Sequence, residues 1–84
     1  MPTKREIEDQ VREVMAANFR LNESEIAADI SQNNCKEWTS LRHMTLLVTL
    51  EERFQTIFTM EEMTSMTSLS TIRDTLVDRA TIKT

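Results

Sequence analysis

The chain contains no glycine, and Pro2 is its only proline. Tight β-hairpins are built on Gly-containing or Asn-Gly turns. None is present, so hairpin-rich folds are disfavoured and an all-α chain is expected. Cysteine is almost missing too. Cys35 stands alone, which excludes an internal disulfide and suits a reducing compartment, so a cytoplasmic location is expected. One Cys and one His do not complete a structural zinc site, and no metal is expected. Positive charge is not in excess either, because 14 acids against 10 bases leave a formal net charge of −4. A nucleic-acid binder needs a basic surface to displace counterions, so no nucleic-acid partner is expected. The apolar runs are too short to span a bilayer. The opening MPTKREIEDQ lacks the apolar stretch that follows the charges of a secretory signal. No membrane insertion is expected.

What is present fits one small domain over residues 1–84. A chain of this size buries a thin core and leaves little room for an enclosed substrate pocket. An enzyme is therefore not expected, and no catalytic residues are assigned. The first helix is predicted to start at Thr3, where Thr3 and Glu6 fit a capping box, and to run to about Asn18. Ile7, Val11, Val14 and Met15 form its apolar stripe. A long connection follows over 19–39. Within it, Asn22 and Glu25 can cap one short turn that Leu21 and Ile26 pin to the core, whereas Ser31 to Glu37 has little to bury. A connection this long in a small domain carries function or spans the bundle, and a crossover along the bundle is expected.

The second helix is predicted from Ser40 to about Phe54. Leu46, Leu50 and Phe54 form its core stripe, and Met44, Leu47 and Val48 widen the apolar arc to one side. Thr59 to Glu62 is a second capping box opening a brief third helix. The last helix is predicted to begin at Thr67 or Ser68, to bury Leu69, Ile72, Leu76 and Val77, and to fray into RATIKT.

Ser40 invites two readings. As a helix N-cap a serine needs no further explanation. Yet the only tryptophan, Trp38, stands two positions before it, Leu41 follows it directly, and the longest connection delivers it to the end of the bundle. Thr39-Ser40-Leu41, then Leu46, Leu47 and Val48, then Leu50-Glu51-Glu52-Arg53-Phe54 make a pattern. With the helix order, this pattern resembles the acyl carrier protein family, the phosphopantetheine-binding carriers. Trp38 is similar to the tryptophan of small stand-alone carriers whose motif reads Trp-Asp-Ser-Leu.

The resemblance covers nearly the whole chain and implies a four-helix acyl-carrier-like bundle, three main helices and one short one, with a long loop between helices 1 and 2. It implies 4′-phosphopantetheine on Ser40, carrying an acyl, aminoacyl or polyketide intermediate as a thioester. The partners it implies are a phosphopantetheinyl transferase and an acyl- or aminoacyl-loading ligase or synthase, with the carrier itself a monomer. By the same analogy, Leu46, Leu50, Ile57, Met63 and Ile72 are expected to line a cleft for the cargo. A helix N-terminus suits an anionic phosphate through its free amides and macrodipole, and Arg42 and His43 can add to that field.

Two departures from the family pattern stand out. Thr39 replaces the Asp before the serine; by the resemblance, that Asp helps the transferase dock, and threonine brings no charge. The second helix opens with Arg42 and His43, while the acids Glu51, Glu52, Glu61 and Glu62 come later. These four carboxylates are either a solvated face or part of a partner footprint with Leu41, and Met44, Leu47 and Val48 are either the apolar part of that footprint or simply widen the core. A rival reading is a carrier-fold interaction module that is not phosphopantetheinylated. His43 is expected at the surface, because a Ser-His nucleophile pair has no nearby orienting acid. Cys35 is expected to be a bystander thiol, and Trp38 to fold over the bundle end beside Ser40.

Overall fold

The computed structural model describes residues 3–82, with side chains through Arg79. It is an all-α bundle of four helices: α1 (Lys4–Phe19), α2 (Ser40–Phe54), α3 (Met60–Ser65) and α4 (Leu69–Ile82). A single 3-10 turn, Glu23–Glu25, lies in the connection between α1 and α2. Residues 83 and 84, the end of the expected frayed segment, lie outside the described residues, and α4 stays helical to Ile82.

Each helix begins where the local chemistry satisfies its first amides. The Thr3 hydroxyl accepts from the Glu6 amide at 3.1 Å and the Glu6 carboxylate accepts from the Thr3 amide at 2.8 Å. Thr59 and Glu62 repeat this reciprocal pair ahead of α3, and the Ser68 hydroxyl accepts from the Thr71 amide ahead of α4. Such caps satisfy amides that have no carbonyl within the helix. The C-termini show what the missing glycine costs. Arg20 (φ 58°) and Gln55 (φ 52°) take the left-handed conformation that closes α1 and α2. The next amides, of Leu21 and Thr56, then bond back to the Ala16 and Glu51 carbonyls. A residue with a Cβ takes that conformation at a cost of about 1 kcal/mol or more.

Ile7, Val11, Val14, Met15, Ala16 and Phe19 of α1 meet Leu46, Leu47 and Leu50 of α2 and Leu69, Ile72 and Leu76 of α4 in one buried cluster. Burying each large side chain contributes roughly 1.5–3 kcal/mol. Val77 and Phe54 pack against the cluster while partly buried. Leu47 corrects the sequence expectation: it is 0 % exposed and belongs to this core, not to a surface beside the second helix.

The α1–α2 connection also differs from expectation. Asn18 Nδ2 donates to the Arg42 carbonyl at 2.8 Å, and Arg53 pairs with Glu13 at 3.3 Å. The end of α1 therefore lies beside the start of α2, and the two helices run antiparallel without a crossover. The connection instead covers this end of the bundle. The Asn22 amide donates to the Glu25 carboxylate, Ile26 is buried, and its carbonyl accepts from the Arg12 guanidinium. Ile30, just before the polar stretch expected to bury little, and Cys35 within it both join the core. Around an isolated antiparallel bridge of Ser31 with Ser68, the Gln32 amide donates to the Thr67 carbonyl at 2.8 Å. The Leu69 amide donates to the Ile30 carbonyl at 3.1 Å.

Candidate functional site

Residues 35 to 43 form one end of the bundle and hold the motif. Trp38 is 2 % exposed and packs its ring on Phe19, with centroids 5.3 Å apart. It thereby closes the core at the C-terminal end of α1, as the sequence suggested. Cys35 is buried beside it, and burial, the largest influence, raises its thiol above the usual range. A buried thiol of raised pKa is a poor nucleophile, so packing is the role its surroundings give it.

The cap of α2 is Thr39 and not Ser40. The Thr39 hydroxyl accepts from the Arg42 amide at 3.2 Å. Ser40 is then the first residue inside the helix. It is exposed, and its hydroxyl has no hydrogen bond among the described residues. The amides of Ser40 and Leu41 are likewise unpaired among these residues. The arrangement therefore offers an accessible primary hydroxyl, two backbone donors and the positive end of a helix at one place. That combination favours a phosphate ester at the hydroxyl. The residues present thus fit a phosphate-linked group on Ser40. A terminal guanidinium nitrogen of Arg42 donates to the Glu37 carbonyl at 3.2 Å, which keeps a positive charge in the same turn.

His43 does not join that field. Its ring is half-buried and turned inward. Trp38 Nε1–H donates to His43 Nδ1 at 3.0 Å, and His43 Nε2 lies 2.9 Å from the Met63 carbonyl oxygen. An imidazole that accepts at Nδ1 and donates at Nε2 is neutral. The expectation of a surface histidine is corrected, because the partners of this ring lie in two other segments.

The residues expected to meet a partner divide into two groups. Leu41 is 78 % exposed, and Met44 and Val48 are each about half exposed; with spacings of three and four they share one face of α2. Glu52 and Glu61 are exposed as well. Glu51 and Glu62, in contrast, are used within the fold. The Glu51 carboxylate accepts from the Phe58 amide at 2.8 Å and so fixes the α2–α3 loop. Glu62 caps α3 and pairs with Arg79, and the Thr59 amide, ahead of Arg79, holds its carboxyl below the usual range. Arg79 also donates to the Ile57 carbonyl at 2.7 Å and lies over the Phe58 ring.

Of the five residues expected to line a cleft, Leu46, Leu50 and Ile72 are core and Met63 is partly buried. Ile57 is 79 % exposed. It sits in the turn after α2, where the buried position goes to Phe58 instead. Sequence reasoning missed two participants, Phe58 as the loop anchor and Asn18 as the tie from α1 to the start of α2. Phe58 follows Ile57 in an aperiodic turn, where alternation gives no guide, and Asn18 carries no motif.

Among the described residues no cluster of His, Cys, Asp and Glu could hold a metal ion, and no helix is long and apolar enough to cross a membrane. Neither the protein-family models nor the curated proteins compared with this chain give a match.

Proposed function

We propose that this protein is an acyl-carrier-type domain that bears 4′-phosphopantetheine on Ser40 through a phosphodiester and presents a thioester-linked acyl, aminoacyl or polyketide intermediate to partner enzymes. The observation that carries the reading is the division of labour at the start of α2. Thr39 performs the capping, which leaves the Ser40 hydroxyl exposed and, among the described residues, unbonded beside helix amides that have no partner there. A serine needed only as a cap would have its oxygen engaged. When bound, the group supplies a flexible arm ending in a thiol that holds cargo as a thioester.

The chain's own residues present the hydroxyl, favour the phosphate with the Ser40 and Leu41 amides, and hold the turn in place through Trp38 on Phe19 and Asn18 on Arg42. Leu41, Met44 and Val48, with Glu52 and Glu61 nearby in the chain, are the surface that a transferase and a loading ligase or synthase would meet. A reducing cytoplasm suits the lone thiol Cys35. The reading assigns the carrier no bond chemistry of its own.

A second reading, an interaction module of the same fold without the prosthetic group, rests on two features. Thr39 presents no charge where the resembled family has Asp, and α2 opens with Arg42 and His43. Incubation with coenzyme A and a broad-specificity phosphopantetheinyl transferase separates the two. One added phosphopantetheine by intact mass, absent in Ser40→Ala, is expected. An unchanged mass with several transferases would overturn the carrier reading and leave the interaction module.

A further inference from the structure

The short helix α3 is held by ties that its own length cannot replace. Six residues are far below the length at which an isolated helix is stable in water. Buried Phe58 and Met66 flank it, and the Glu62–Arg79 pair fastens its first turn. Its last turn is fastened from α2, where His43 Nε2 meets the Met63 carbonyl oxygen while Nδ1 accepts the indole proton of Trp38. The Trp38 and His43 rings lie 5.9 Å apart between centroids and 33° from parallel. One imidazole thus joins the segment before Ser40, the first turn of α2 and the end of α3.

We propose that His43 is a protonation-controlled latch that ties the C-terminal turn of α3 to the start of α2. The relay exists only while the ring is neutral. A proton gained at Nδ1 faces the Trp38 N–H donor to donor, and the buried indole N–H loses its acceptor. An unpaired buried donor is costly, so the ring turns away and the hold on Met63 goes with it.

The charged groups flanking the relay in the chain are Arg20 after Phe19, Glu37 and Arg42 around Trp38 and His43, and Glu61 and Glu62 ahead of Met63. None of them bonds to the ring among the described residues. Arg42 is engaged with the Glu37 carbonyl. The Glu62 carboxyl lies below its usual range and so keeps its charge further into acid. The first turn of α3 therefore remains fastened while the last is freed from His43, which stands three residues in sequence from Ser40. The latch does not depend on what Ser40 carries, so its test is separate from that of the carrier reading.

The test is a titration of the full chain from neutral pH into mild acid, followed by nitrogen-15 NMR. The native chain is compared with His43→Gln, whose amide can accept from Trp38 and donate to Met63 at every pH. In the native chain the Trp38 indole N–H and the Thr64 amide are expected to shift together along one single-proton curve, while both stay fixed in His43→Gln. Native signals that do not move, or that move equally in the variant, would overturn the latch. Should His43→Gln fail to fold, Trp38→Phe removes the opposing donor. It is expected to reduce the Thr64 displacement, and a displacement equal to the native one would overturn the proposal.

Discussion

Replacing Thr39 or Ser40 singly by alanine separates two adjacent hydroxyls that a sequence reading cannot tell apart. The Thr39 oxygen accepts from the Arg42 amide at 3.2 Å, whereas the Ser40 oxygen is exposed and unbonded among the described residues. Loss of a Ser or Thr N-cap costs about 0.5–2 kcal/mol, and about 1 kcal/mol is expected for Thr39→Ala. Ser40→Ala removes no bond and places the best helix former at an exposed helical position, so its effect is expected within about 0.5 kcal/mol of zero. In a domain of this size 1 kcal/mol moves Tm by roughly 4–8 °C. Thermal unfolding followed by circular dichroism resolves such a difference easily. Thr39→Asp should lie on the other side of the native chain, since it keeps the cap and adds a negative charge at the helix N-terminus, worth about 0.3–1 kcal/mol. A Tm loss in Ser40→Ala with none in Thr39→Ala would refute the reasoning, because Ser40 would then be the cap and its hydroxyl would not be free.

Other consequences follow from the fold. Gln55→Gly is expected to stabilise the chain by about 0.5–1 kcal/mol in urea unfolding, because glycine takes the left-handed φ of 52° without Cβ strain, part of the gain being lost to a freer unfolded chain. Leu47→Ala should cost about 2–5 kcal/mol while Val48→Ala changes stability by less than about 0.5 kcal/mol, a contrast that denaturant titration would expose. The Glu8 carboxyl is held below its usual range, first by Arg73 and then by Arg12. Its contribution is therefore present above the unfolded carboxylate pKa and lost as pH falls through the lower folded value. Tm followed from neutral pH into acid should fall less steeply in Glu8→Gln than in the native chain, and parallel curves would contradict the assignment.

Periodicity and capping made most of the fold legible. The stripe Ile7, Val11, Val14, Met15 is buried as its spacing required, and Thr3 with Glu6 and Thr59 with Glu62 open the helices at the residues expected. Both signals are local, and local signals survive folding when nothing tertiary opposes them. The misreadings share the opposite cause. Leu47 and Val48 are adjacent and equally apolar, and only tertiary packing decides that the first is covered and the second is not. His43 looked like a surface residue because its partners, Trp38 and Met63, meet it only once the connection and α3 are in place. The connection departs from expectation because Ile30 and Cys35 are buried singly, without a period, and because Ile30 and Gln32 bond through the backbone to Leu69 and Thr67. At the site, the motif drew attention to Ser40, but the assignment of the cap to Thr39 rests on one side-chain hydrogen bond.

The central claim is that the Ser40 hydroxyl, and not its neighbour's, is the attachment point. Fragment mass analysis of the peptide containing Thr39 and Ser40, after incubation with coenzyme A and a phosphopantetheinyl transferase, tests it most directly. The account expects a phosphopantetheine on Ser40 with Thr39 unmodified. A modification on Thr39, or a fully loaded reaction in which this peptide stays bare, would contradict it.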